Sequence, residues 1–302
     1  MTGNTIWRIA EGRAEPLIHA HSHQLVRGND GAIYGTNPEP TGTTASVWRL
    51  DAAGHFSYVL SPASGLSLGL QSFFITADGT IYSVNRYDHK RPTIVLMRRD
   101  PGGRIVAVAG ATKGFADGVG SMARFAGIDG MSQSSDGDIL LADGAYLRRF
   151  RPTGHVSTVT SRLTDERWGQ DLLGISSVRA STVHVADHAG RRVLRVSLAT
   201  GETRVIDRSA FLWAPAGVEV TDQAVHVLEH LRPPLSVFGD LQIGPYLRVR
   251  RVASDGSSTT MAVVWGRHSS KAGLAAAAAC FVVAMWARTR MGKWNWGQAS
   301  GC

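Results

Sequence analysis

Histidines and carboxylates at repeated spacings are the residues through which this chain could do chemistry. The segments VHVADH and VHVLEH place His184, His188, His226 and His230 at matching positions. Each segment ends in an acid followed by a histidine, Asp187 with His188 and Glu229 with His230. Such a pair can act as general acid or base when a substrate comes within hydrogen-bond reach. His184 and His226 alternate with valines, so they are expected on the opposite face of their strands. A third segment, HAHSH, sets His19, His21 and His23 on alternate positions, which point the same way in an extended chain. Three neutral imidazoles can bind zinc or copper. The same histidines also suit an exposed loop leading into the first sheet.

These residues need a frame, and residues 110–160 supply its unit. A small-residue loop, Gly110 to Ser121, precedes an apolar run, Phe125 to Met131. An Asp136-Gly137 turn, a short strand ending on Asp143, a third strand from Tyr146 to Phe150 and a turn at Gly154 follow. A fourth strand, His155 to Thr160, completes an antiparallel sheet. Such a sheet needs copies of itself on either side. The glycine before the fourth strand recurs as Gly12, Gly54, Gly103, Gly154, Gly201 and Gly256, in steps of 42, 49, 51, 47 and 55 residues. Four strands per unit and a period near fifty predict an all-β chain, a six-bladed β-propeller. The sixth blade is expected to be incomplete. TIWRI and EPLI read as its two outer strands, and no inner pair precedes them. That hairpin should dock beside blade 1 with its inner edge open.

The unit resembles an NHL repeat. The residues that carry the likeness are GFADGVGSMARF, GIDGMSQSSDGDILLAD and YLRRFRPTGHVSTV, with VADHAGRRVLRVSLATG at 185–201 fitting the same pattern. Blades 1, 2 and 5 fit by turns and strand alternation only. The resemblance implies a six-bladed ring whose face loops bind partners or ligands. It implies no single activity, because the fold hosts scaffolds, lyases and lactonases alike.

In a propeller the innermost strand starts on the face where the second strand ends. The second-strand ends are Asn37, Asn85, Asp143, Asp187 and Glu229; the innermost strands start near His23, Gln71, Asp129, Leu173 and Ala216. Together with His188 and His230, the polar members of these columns are the candidate ligand-binding residues at the channel mouth. Lactonase propellers hold a divalent cation there with oxygen ligands. One acid, one amide, one histidine and two apolar residues make a poor cage, so no cofactor is expected, with a divalent metal as the alternative. The structural reading of the second-strand column is that each residue caps the turn that follows it.

The net charge of +8 invites a nucleic-acid partner. The arginines argue against it: Arg8, Arg49, Arg98, Arg149, Arg195 and Arg251 fall one per blade, spread round the ring. Each is expected to reach acceptors of the next blade. The only cysteines, Cys280 and Cys302, lie beyond the propeller, which leaves the compartment open. No secretory signal pattern opens the chain. Residues 1–264 read as the propeller and 265–302 as a tail. The uncharged run 272–287 reads as an apolar helix flanked by Trp265 and Trp286, either a membrane anchor or a packed element. An anchor would leave the propeller cytoplasmic or membrane-associated. GFADGVGS has no phosphate-loop lysine. The reading is therefore a non-catalytic scaffold that binds a protein or small molecule on its loop face. The alternative is a gluconolactonase-like hydrolase or a lyase using a channel metal or histidine.

Overall fold

The structure, a computed structural model, describes residues 5–10, 13–19, 25–28, 30–38, 45–60, 72–87, 92–160, 163, 172–221, 224–231 and 247–264. Among them, β1 (Thr5–Ala10) and β2 (Arg13–His19) form a hairpin. Blade 1 is β3 (Leu25–Arg27), β4 (Ile33–Pro38), β5 (Ala45–Leu50) and β6 (Phe56–Leu60). Blade 2 is β7 (Phe73–Ile75), β8 (Ile81–Tyr87), β9 (Thr93–Arg99) and β10 (Ile105–Thr112). Blade 3 follows with β11 (Gly118–Val119), β12 (Ile128–Gln133), β13 (Ile139–Asp143), β14 (Tyr146–Phe150) and β15 (His155–Thr158). Blade 4 is β16 (Leu172–Ile175), β17 (Thr182–Asp187), β18 (Arg192–Ser197) and β19 (Thr203–Arg208). Blade 5 is β20 (Trp213–Val220), β21 (Ala224–Leu231), β22 (Leu247–Ala253) and β23 (Ser258–Val264).

The chain is an all-β propeller. Six blades were expected, the sixth an incomplete one with only two outer strands; among the described residues there are five blades and the two-stranded hairpin. The hairpin bridges the two ends of the series. Ile6 packs into a cluster with Trp48, Leu50 and Ile33 of blade 1, and β2 lies against β23 of blade 5. The apolar tail at 272–287 lies outside the described residues.

Each blade is a meander because alternation buries one set of side chains against each neighbouring blade. Leu140 and Ala142 of β13 join blade 4's Val183, Val185 and Leu194, while Ile139 and Leu141 join the cluster shared with blade 2. The innermost strands approach closely. A β-carbon on Gly174 would stand 2.7 Å from the Gly217 Cα, so only glycine fits. A register shift accompanies that glycine in β20 and its equivalents in β16 and β12, between Pro215 and Gly217, Leu172 and Gly174, and Ile128 and Gly130. The repeating turn glycine has the conformation that its position demands: Gly154 has φ 98°, in the region that strains any β-branched residue.

The 110–121 stretch is more ordered than a connecting loop. β10 runs on to Thr112, and β11 pairs with β15, adding a fifth strand to blade 3. Asp117 fixes it by accepting from the Thr158 amide at 3.1 Å and its hydroxyl at 2.9 Å.

Candidate functional site

The second strand of each blade ends where the first begins: Leu172 pairs with Asp187, Ile128 with Asp143 and Trp213 with Leu231. These ends share one face with the third-strand starts at Tyr146, Arg192 and Leu247. The candidate residues on this mouth face fall into separate groups.

Asp143 is fully buried and both its oxygens are used. Oδ1 accepts from the Ala126 and Gly127 amides at 2.7 and 2.8 Å. Oδ2 accepts from Arg148 Nη1 at 2.8 Å. Arg148, also fully buried, donates on to Asp117 Oδ1 and to the Ala116 and Arg124 carbonyls. Its guanidinium lies 4.5 Å from the Phe115 ring centre, and Phe115 stacks on Tyr146 at 4.1 Å. Burial pushes the Asp143 carboxyl up, opposed by the Gly127 amide, Arg148 and the Ala126 amide. Asp187 accepts from the Gly190 amide at 2.8 Å, which is the expected turn cap, and from Arg192 Nε at 2.7 Å. Asp129 is held by Arg86 of blade 2 at 2.7 Å. Asn85 is buried. Asn37 is the penultimate residue of β4, but its side chain lies outside the described residues, as does that of His19. His21, His23 and Gln71 also lie outside them. Among the described residues, no three His, Cys, Asp or Glu side chains converge as a metal site would require.

Blades 4 and 5 bring the paired motif together. The His188 and His230 rings stack, centroids 4.5 Å apart at 30°. His188 Nδ1 lies 3.1 Å from the Pro215 carbonyl. A carbonyl only accepts, so Nδ1 carries the proton and Nε2 is the basic nitrogen. Beside them, buried Glu229 accepts on Oε2 from Arg248 Nε at 2.5 Å and Arg250 Nε at 3.0 Å. Arg250 also reaches Ser258 and, across the blade boundary, Asp207. The Arg248 guanidinium covers the Trp213 ring at 4.1 Å. Among the described residues, Glu229 Oε1 and Arg248 Nη2 are buried without a hydrogen-bond partner. His184 sits deeper, on β17, where burial and the Arg195 charge lower its pKa to about 4.

The expected arginine column behaves differently from its reading. Arg149 does reach the next blade, at the Leu198 carbonyl. Arg49 and Arg98 instead pair inside their own blades, with Asp30 and Asp100. The arginines that hold the second-strand acids are Arg148, Arg192, Arg248 and Arg250. In blade 3 and blade 5 the pairing residue Arg148 or Arg250 stands one position before the repeat column. Alternation puts neighbours on opposite faces, so a one-residue offset separates two different roles.

No family model matches the chain, and no curated protein matches it. Solved structures do resemble it. The structure titled a nidogen/laminin complex is 12% identical with a TM-score of 0.56, over 86% of this chain and 90% of that one. A putative gluconolactonase is 14% identical with a TM-score of 0.50, over 74% and 77%. A streptogramin B lyase is 14% identical with a TM-score of 0.49, over 89% and 78%. At these identities the likeness is one of fold, and the chain is a β-propeller.

Proposed function

We propose that this chain is a non-catalytic, six-bladed NHL-like propeller that binds a partner on its mouth face. The hairpin β1–β2 is then the outer half of the sixth blade. The observation that carries the binding role is the state of the mouth acids. Asp129, Asp143, Asp187 and Glu229 each accept from an arginine, so each is engaged in holding the fold. A general base or cation cage needs carboxylates open to the reacting group. What the face offers instead is aromatic and guanidinium surface, the composition of interface hot spots. The fold shared with the nidogen/laminin complex structure supports a binding role as an analogy.

The test is photo-crosslinking in cells with p-benzoylphenylalanine placed at Tyr146 or Phe211 on the mouth face, or at Tyr58 on the outer strand. A discrete adduct from the mouth positions, absent from Tyr58, is expected. Equal labelling from all three, or none from the mouth, would overturn the reading.

The second reading, a hydrolase or lyase, has one observation in its favour: the stacked His188 and His230 rings beside Glu229 on the mouth face. It predicts turnover that His188→Ala abolishes. The tail at 265–302 is proposed as a membrane-associating segment. The full chain should then pellet with membranes, whereas a chain ending at Val264 should stay in the supernatant.

A further inference from the structure

We infer that the boundary between blades 4 and 5 on the mouth face is the docking site for an acidic peptide segment of a partner protein. This rests on the binding role proposed above and names the chemistry of what binds.

The first observation is backbone strain. Among the described residues, non-glycine positive φ occurs at Ala180, Ser181, Arg191 and Leu212. Ala180 and Ser181 form a hairpin turn that requires that conformation. Arg191, at 50°, closes the longer hairpin between β17 and β18, and Leu212, at 74°, sits in the turn from Ala210 to Trp213, both at positions where a long side chain stands in place of glycine. They flank this boundary, one in the connection after β17 and the other just before β20. A long side chain in this region is costly, and such costs concentrate where side chains are held for recognition. Here the strained residues display neighbouring groups. The Arg191 guanidinium lies 5.8 Å from the ring centre of Phe211, which is 52% exposed. Leu212 directs the chain from Phe211 to Trp213, which carries Arg248.

The second observation is charge. Five arginines, at 191, 192, 208, 248 and 250, stand against three carboxylates, Asp187, Asp207 and Glu229. The carboxylates are matched by Arg192, Arg248 and Arg250. Arg191 and Arg208 are exposed, and among the described residues neither has a carboxylate partner. They are close: Arg208 pairs with Arg192 across the sheet, and the next amide, Ser209, donates to the Arg191 carbonyl at 2.9 Å. Two unneutralised guanidiniums beside an exposed phenyl ring fit two carboxylates flanking an apolar side chain. A nucleic-acid backbone would need a longer basic track than two arginines supply.

The test uses the full chain and a fluorescein-labelled Glu-Glu-Phe-Glu-Glu peptide, followed by anisotropy at low ionic strength. Binding is expected, with R191A/R208A weakening it by about tenfold or more and Phe211→Ala by a similar factor. Exposed Arg104, on a distant turn of blade 2, serves as the control, and Arg104→Ala should leave binding unchanged. Replacing the four glutamates by glutamine should abolish binding. R191K/R208K, which keeps the charge, should restore most of it and separates lost contact from misfolding. The inference falls if the peptide does not bind, if the alanine variant binds as the parent does, if the glutamine peptide binds equally, or if oligouridylate binds more tightly at the same residues. A failed peptide alongside a crosslink from Tyr146 would remove this boundary while leaving the mouth-face reading standing. Failure of both would remove both.

Discussion

Blade 3 and the blade 4–5 boundary treat the same repeat position in opposite ways. In blade 3 the acid ending the second strand has both oxygens bonded, to two amides and one buried guanidinium. The turns of blade 3 that need positive φ are built on Gly137, Gly144 and Gly154. At the blade 4–5 boundary Glu229 draws two guanidiniums onto one oxygen, and its other oxygen is buried without a partner among the described residues. The turns there place Arg191 and Leu212 in the left-handed region. Local rules are therefore obeyed in one blade and broken in the next. Departures of this kind concentrate at functional positions, because the rest of the fold has to offset their cost.

The largest test of the contrast is to remove one guanidinium from each centre. Arg148→Ala leaves the buried Asp143 without its counter-charge and should cost about 3–5 kcal/mol. Arg248→Ala leaves Glu229 paired with Arg250 and should cost about 1–2 kcal/mol. Denaturant midpoints measure both, and equal losses would break the comparison.

His184 sharpens it through pH. Its folded pKa of about 4 lies below the ordinary 6.5. Below pH 6.5 the unfolded chain takes up a proton that the buried ring refuses, so stability falls as pH drops toward 4. The full difference is worth about 3 kcal/mol. His184→Leu should flatten the stability curve across that window relative to the parent. Asp143 runs the other way: its raised pKa means that acid removes a cost of burying the carboxylate. The variant-minus-parent difference isolates the histidine. An unchanged slope in His184→Leu would show that the ring is not held neutral.

Turn chemistry gives the two smaller tests. Gly154→Val places a β-branched residue at φ 98° and should destabilise by about 1–3 kcal/mol, whereas Lys113→Ala should have little effect. Equal melting temperatures for the two would contradict the strain argument. In blade 4 the sign reverses. Ser181 already pays for φ 56°, and Ser181→Gly should stabilise by about 1 kcal/mol. A lower melting temperature would mean that the serine side chain contributes more than its backbone costs.

How much of the site was legible depends on the kind of contact. The matching of VHVADH with VHVLEH marked His188 and His230 as equivalent, since equivalence is a property of the repeat. Their stacking follows from the Pro215 carbonyl and the path of β20, which no spacing encodes. Arg248 and Arg250 had a signal in the string: RVRRV at 248–252 puts these two on one face and Arg251 on the other, and the face turned to the acid lies one residue from the repeat column. Phe211 and Trp213 carried none, because one lies in, and the other directly after, a connection whose length varies from blade to blade.

The sequence alone determined the propeller, the turn glycines and the placing of acids on one face. Those depend on periods of two and near fifty, which any chain of this pattern obeys. Only the tertiary structure decided which guanidinium meets which carboxylate, which arginines remain without one, and that 118–119 joins blade 3 as a strand. Those outcomes depend on how neighbouring blades sit against one another, and side-chain partners forty residues apart are chosen by that packing rather than by either residue's type.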